Sequence, residues 1–253
     1  LVMTLSVATF ISCGQKIPDK SNDVSGEYWS LDYVTASWGE AHLKKVCFNE
    51  NGDVTSVYNF NFNTPTREIF YYNNGKLEYS ETFEIFHPTR FFTDSRISDV
   101  KLYETRYVYE GDKIVKGEVF FNDSPTRSYD EYEYTEDGKL KTVKRYELGK
   151  LSETYEYNGK NRPESIQYSD FTFVPDYDKN GNVIKAQTYL SASETKDGDI
   201  TVEYSNGFPS KTIRSYTSNS EKKELLYKYH SNGNISQIKQ TVPASAVYEY
   251  NEA

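Results

Sequence analysis

Along this chain an aromatic residue repeatedly stands four positions before a glycine, with a branched aliphatic residue two positions after it. Phe48/Gly52/Val54, Tyr71/Gly75/Leu77, Tyr134/Gly138/Leu140, Tyr177/Gly181/Val183 and Tyr229/Gly233/Ile235 all keep this spacing. Around them apolar and polar residues alternate in short runs, the period of a half-buried strand and not the 3.6-residue period of a helix. A strand–turn–strand unit follows. If Glu136-Asp137-Gly138 is a three-residue hairpin loop, the glycine closes it in the left-handed conformation that glycine tolerates best. That register sets Tyr134 opposite Leu140, Glu133 opposite Lys141 and Tyr132 opposite Thr142. Apolar pairs collect on one face and an ion pair on the other, each worth about 0.2–1 kcal/mol. A two-residue loop at Asp137-Gly138 would oppose Tyr134 to Lys141, so the three-residue register is preferred. It also pairs Phe48 with Val54, Tyr71 with Leu77, Tyr177 with Val183 and Tyr229 with Ile235.

The glycines recur regularly. Gly52 and Gly75 are 23 residues apart, Gly138, Gly159 and Gly181 follow one another at 21 and 22, and Gly207 and Gly233 come at 26 and 26. Gly111 marks a weaker copy, with Ile114 displaced by one. Periods of 20–50 residues indicate repeat architecture. From residue 46 onward some sixteen strands are predicted, with a turn over Asn122-Asp123-Ser124-Pro125. No stretch sustains helical spacing. Roughly ten strands are the usual limit of an open twisted sheet before it curls or splits. The expected fold is therefore all-β: consecutive antiparallel hairpin repeats forming one curved or spiralling sheet, with aromatics on the concave side.

Composition sharpens this picture. Of 253 residues, 36% are hydrophobic, below the globular average of about 45–50%, yet the chain holds 24 Tyr and 14 Phe. Such an aromatic content opposes disorder and suits thin, half-buried pleated layers. The net charge of −9 opposes nucleic-acid binding and electrostatic docking on anionic lipid.

Residues 1–12, LVMTLSVATFIS, are apolar and uncharged. They are too short to span a bilayer, which takes about 20 residues, and fit the apolar region of a signal peptide. They end at Cys13-Gly14-Gln15-Lys16, with the small residue Ser12 before the cysteine. Here the sequence resembles bacterial lipoprotein signal peptides, although Phe10 stands where those prefer leucine. The resemblance implies cleavage before Cys13, a lipid thioether on its sulfur and acylation of its new amine. Several acyl chains, at about 0.8 kcal/mol per buried methylene, make a durable anchor. Residues 13–26 read as a polar tether, and 27–253 as one hairpin-repeat domain. The other cysteine, Cys47, reads as a small buried hydrophobe; a catalytic thiol would need a base, for which His42 is the candidate.

Two stretches depart from the repeat. Residues 27–45, with Trp29 and Trp38, form either a first strand pair or an irregular cap, since terminal repeats must seal a stack; the alternative is a sugar-stacking platform made by the two indoles. Residues 87–98, HPTRFFTDSRIS, interrupt the repeat. Insertions in repeat arrays map to loops on one face, often the binding face. Arg90, Phe91, Phe92 and Arg96 are thus candidates for specific contact, or the phenylalanines tuck the loop against the sheet.

The heptad Tyr177-Asp178-Lys179-Asn180-Gly181-Asn182-Val183 resembles the tyrosine–aspartate (YD, or Rhs) repeat, whose pattern is Tyr-Asp, two residues, Gly, a polar residue and an aliphatic. Tyr71, Tyr134 and Tyr229 begin copies that match at tyrosine, glycine and aliphatic, but Tyr72, Thr135 and His230 replace the aspartate. The resemblance covers about residues 46–250 and implies a β-hairpin spiral, an architecture and not an activity. A shorter antitoxin-like repeat, Tyr-Tyr-x-Asn-Gly-Lys-Leu, is the runner-up and fits residues 71–77.

Catalytic signatures are thin. The three histidines, His42, His87 and His230, lie in different units. No His-Glu-x-x-His, glycine-rich phosphate loop or Gly-x-Ser-x-Gly elbow occurs. Pairs such as Glu131/Glu133 and Glu153/Glu156 would serve a glycosidase only about 5–10 Å apart in a cleft; alternation with tyrosine reads instead as a solvated face. No catalytic residue, metal or cofactor is expected. The reading is an envelope-anchored, non-catalytic lipoprotein, a β-repeat binding or structural module with a protein or glycan ligand. Its expected location is the bacterial envelope, lipid-anchored at the outer membrane. Alternatives are an immunity or antitoxin-like partner of a secreted toxin, and a carbohydrate-active enzyme.

Overall fold

The computed structural model describes residues 27–34, 41–49, 53–60, 66–84, 100–160, 162–179, 182–191, 193–218, 221–229, 235–242 and 246–249. They run as β1 (Glu27–Val34), β2 (Ala41–Phe48), β3 (Val54–Phe60), β4 (Thr66–Asn73), β5 (Lys76–Glu84), β6 (Val100–Glu110), β7 (Lys113–Phe121), β8 (Ser124–Tyr134) and β9 (Leu140–Glu147). Then follow β10 (Lys150–Glu156), β11 (Ser165–Tyr168), β12 (Phe171–Tyr177), β13 (Val183–Leu190), β14 (Thr195–Ser205), β15 (Phe208–Tyr216), β16 (Lys222–Tyr229), β17 (Ile235–Val242) and β18 (Ala246–Glu249). Each strand pairs antiparallel with the next, from β1 to β18. The architecture is all-β, one meander of consecutive hairpins, and no helix occurs among the described residues. The stretch 27–45, read as a strand pair or a cap, contributes β1 and most of β2, which pair along their length.

The expected pairs Phe48–Val54, Tyr134–Leu140, Tyr177–Val183 and Tyr229–Ile235 are all present. The loop after Tyr134 has the three residues deduced from the sequence. Thr135 N–H donates to Lys139 O at 2.8 Å, and Gly138 N–H donates to Thr135 O at 2.9 Å. Gly138 sits at φ 84, where a side chain would be strained.

Two register expectations fail. Leu77 faces Tyr72, not Tyr71, because Asn74-Gly75 forms a two-residue turn with φ 50 and 75, the type I′ geometry that suits strand twist. Beyond the Tyr134–Leu140 pair the ladder slips by one: Glu133 faces Thr142 and Tyr132 faces Val143, with Lys141 left over as a bulge. Glu133 consequently pairs with Lys144, at 2.5 Å. The turn placed over residues 122–125 is narrower as well, since only Asn122-Asp123 bend while Ser124 and Pro125 belong to β8.

This bulge is general. The same slip occurs beside Phe48, Tyr72, Tyr109, Tyr134, Tyr177, Tyr204 and Tyr229, always just after the aliphatic or proline partner. Bulges raise the local twist and bend a strand. Consecutive hairpins then splay at the edge carrying the glycine turns. The ladder joining one hairpin to the next stops at Ser56, Tyr79, Lys116, Lys185 and Lys211, two residues short of Val54, Leu77, Ile114, Val183 and Pro209. Tyrosine hydroxyls bridge the gap. Tyr72, Tyr109, Tyr134, Tyr204 and Tyr229 donate to the carbonyls of those five residues at 3.0, 2.8, 2.8, 3.0 and 2.6 Å. Tyr177 does the same to Pro163 at 3.0 Å. A backbone acceptor that the ladder abandons still needs a donor when partly buried, and the repeat tyrosine supplies it.

One face of the sheet carries the core. Val46, Phe70, Leu77, Tyr107, Ile114, Tyr132, Leu140, Phe173, Ile200, Leu225 and Ile238 belong to a single apolar cluster drawn from β2 to β17. The sheet bends until β1 comes within 8 Å of β15, strands that a flat sheet would hold roughly 65 Å apart at about 4.8 Å per strand.

Candidate functional site

Inside the curve, beneath the aromatic rim, lies a polar layer. Glu68, Thr82, Thr105, Asp130, Arg145, Thr188 and Arg214 are all buried and share the strand phase of the core residues. Its centre is Arg145, which ladder pairing places opposite Asp130 on β8 and Glu153 on β10. Arg145 Nε donates to Asp130 Oδ1 at 3.1 Å and Nη1 to Glu153 Oε2 at 2.7 Å. The Tyr155 hydroxyl donates to the same Glu153 oxygen at 2.6 Å. Arg145 and Asp130 are each 1% exposed. The bulge at Lys141 makes this pair: without it Asp130 would face Lys144.

Burial raises the Asp130 carboxyl above its ordinary pKa, and the Arg145 charge works against that. Burial opposes the guanidinium too, but Asp130 and Glu153 hold its pKa well above the ordinary value. The arginine is therefore charged. Nearby, Ser80 Oγ donates to Glu68 Oε1 at 2.6 Å and lies 3.2 Å from the Tyr107 hydroxyl. Burial, then the Glu68 charge, pushes the Tyr107 phenol well up. The Tyr132 phenol is raised by burial and by Asp130. A second arginine, Arg214, reaches Asp197 Oδ2 at 2.5 Å and lies over the Tyr216 ring at 4.8 Å.

The outer face is mixed. Tyr71 and Tyr79 stack with centroids 4.5 Å apart, as do Tyr129 and Tyr146. Lys116 covers Tyr129 and Arg106 covers Phe120. Each of these rings turns one face to another ring or to a cation. Glu104 ties Lys101 and Arg106 together.

The candidate residues fall as follows. Gly75, Gly138, Gly159 and Gly207 lie at bends with left-handed φ. Trp29 stands in β1 opposite Lys45. Cys13, Trp38, Gly52, Arg90, Phe91, Phe92, Arg96, Gly181 and Gly233 lie outside the described residues. Cys47 is a half-buried cysteine in β2. His42 is five residues along the same strand, about 17 Å away at 3.3 Å per residue, so the two do not form a thiol–base couple. Glu131 and Glu133 lie on the outer side, but Glu153 does not belong to a solvated face: it closes the Arg145 cluster. Among the described residues no group of three or more His, Cys, Asp or Glu gathers as metal ligands.

Asp130, Arg145 and Glu68 were not singled out from the sequence, although they stand two residues from Tyr132, Val143 and Phe70, in core phase.

No family model matches the chain, and no curated protein does. Three solved structures resemble it weakly. They are the "Crystal Structure of TcdB2-TccC3-Cdc42" (9% identity, TM-score 0.36), "TcdB2-TccC3 without hypervariable C-terminal region" (12%, 0.29) and "TcdB2-TccC3" (11%, 0.31). The matches cover 83–85% of this chain but only 14–15% of those chains. At such scores the likeness decides neither descent nor role.

Proposed function

We propose that the chain is a non-catalytic β-hairpin-repeat module serving as a binding or structural element of the bacterial envelope, anchored through an acylated Cys13, with a protein or glycan ligand. The observation that carries the non-catalytic part is the Arg145 cluster. Its two carboxylates meet on one guanidinium inside the sheet, and a glycosidase pair would have to face a substrate and water. Charges spent on each other at that depth fix strand register and do not turn over a ligand.

The anchor is tested by feeding cells an azido-fatty acid. Wild-type protein takes up label and Cys13→Ala does not; label on the alanine variant overturns the anchor. The non-catalytic reading is tested separately with Glu153→Gln, assayed against a panel of polysaccharides beside the wild type. Hydrolysis by the wild type that this substitution abolishes would overturn it.

A further inference from the structure

Left-handed hairpin turns select asparagine followed by glycine, and this chain carries six Asn-Gly dipeptides. Three lie among the described residues, and their backbones match. Asn74-Gly75 has φ 50 and 75, Asn158-Gly159 has 49 and 77, and Asn206-Gly207 has 52 and 83. All three asparagines are exposed. The same dipeptide is chemically reactive. The glycine nitrogen can attack the asparagine side-chain Cγ, and no side chain on the glycine stands in its way.

What differs is how the two reacting groups are held. Asn74-Gly75 and Asn206-Gly207 are bare hairpin tips, with Asn73 paired to Lys76 across the first and Ser205 to Phe208 across the second. The side-chain amides of Asn74 and Asn206, and the N–H groups of Gly75 and Gly207, make no hydrogen bond among the described residues. At Asn158-Gly159 both groups are tied. Asn158 Nδ2 donates to the Glu164 carboxylate, and Gly159 N–H donates to Leu140 O at 3.1 Å. Bringing the glycine nitrogen over Cγ takes a rotation about the asparagine Cα–C bond. At positions 74 and 206 that rotation disturbs only an exposed tip. At 158 it must also free both reacting groups from their partners.

We propose that Asn74 and Asn206 are sites of spontaneous deamidation in the folded protein, and that Asn158 is protected. The glycine nitrogen forms a bond to Cγ, the Cγ–Nδ2 bond breaks, and ammonia leaves carrying the proton of the glycine N–H. Water then opens the cyclic imide at one carbonyl or the other, giving aspartate or isoaspartate. Water is the only co-reactant. Isoaspartate puts an extra carbon into the main chain of a turn that closes on two residues. Both turns adjoin hairpin junctions. Lys76, next to Gly75, reaches Asp112 at 2.7 Å and covers the Tyr109 ring. Phe208, next to Gly207, packs against Tyr229 with ring centroids 4.9 Å apart. The modification therefore acts where one hairpin is joined to the next.

The test holds the full chain at mildly alkaline pH, with and without urea, and samples it over time. Digestion at mildly acidic pH and mass spectrometry read the exchange of NH2 for OH at each asparagine. In the folded chain Asn74 and Asn206 react at least about ten-fold faster than Asn158, the scale set by two net hydrogen bonds. In urea the three rates converge. Glu164→Ala speeds the reaction at Asn158 and leaves the other two sites unchanged. Equal rates at the three sites in the folded chain, or a gap that persists in urea, overturns the proposal. So does an unchanged Asn158 rate in Glu164→Ala, or intact Asn74 and Asn206 once the unfolded chain has reacted throughout.

Discussion

Tyr132 and Tyr134 stand on the same strand and the same face, but their hydroxyls meet different fates. Tyr134 donates to Ile114 O at 2.8 Å across the splayed junction between two hairpins. The Tyr132 hydroxyl is buried without a hydrogen-bond partner. Removing the first loses a net hydrogen bond of about 0.5–1.5 kcal/mol, or about 1–3 kcal/mol if Ile114 O is then left dry. Removing the second relieves a desolvated hydroxyl, a gain of about 1 kcal/mol. Tyr134→Phe should therefore lower stability and Tyr132→Phe should leave it unchanged or raise it. For a chain of this size 1 kcal/mol moves Tm by about 2–4 °C. Urea titration followed by tyrosine fluorescence separates the two by roughly 2 kcal/mol. Ring removal is common to neither substitution, so packing cannot mimic the difference. Equal destabilisation by both would show that the tyrosines act through their rings alone, and that the hydroxyl bridges do not join the hairpins.

Other outcomes follow from the same geometry. Arg145→Met strands the buried Asp130 carboxylate and should cost about 3–5 kcal/mol, most of it recovered in the double variant Arg145→Met, Asp130→Leu; the urea midpoint reads both. Gly138→Val should cost about 1–3 kcal/mol. An added Cβ there would meet nothing closer than Lys113 Nζ at 3.4 Å, so an unchanged Tm would mean that the left-handed backbone is not required. The Tyr71 phenol is pushed up to about 12 by burial and then by its hydrogen bond to Glu81. Its folded value lies above the unfolded one of about 10, so its stabilisation is complete below pH 10 and lost as pH rises through 12. In an alkaline absorbance titration Tyr71→Phe should remove a group ionising near 12, and Glu81→Gln should move that group down.

The sequence made turns and partners legible because each is local. An aromatic and an aliphatic six residues apart, as in Tyr134–Leu140 and Tyr177–Val183, enclose a three-residue loop. Other copies have them five apart, as in Tyr72–Leu77, Tyr109–Ile114 and Tyr204–Pro209, and close on two residues. With Tyr71 and Tyr72 adjacent, spacing to the glycine alone chose the wrong one. The bulge was not legible, because strict alternation assumes one residue opposite one, and a single extra residue at Lys141 changes every pair beyond it. The Arg145 cluster was hidden for the same reason. Its members are 15 and 8 residues apart, meet only after the slip, and are of types that read as solvent-facing. Their phase, two residues from Tyr132 and Val143, was the available signal.

The central claim is that consecutive hairpins lie side by side in one antiparallel sheet, even across residues 85–99. Glu81 on β5 faces Glu104 on β6, within the 4.4–6.8 Å Cα range that a disulfide spans. In a Cys13→Ser, Cys47→Ser background, Glu81→Cys with Glu104→Cys should be oxidised by oxidised glutathione to an intramolecular disulfide, seen as the loss of the mass of two hydrogen atoms, without lowering Tm. No disulfide, or equal oxidation of Glu81→Cys with Tyr103→Cys, whose side chains point to opposite faces, would contradict the account.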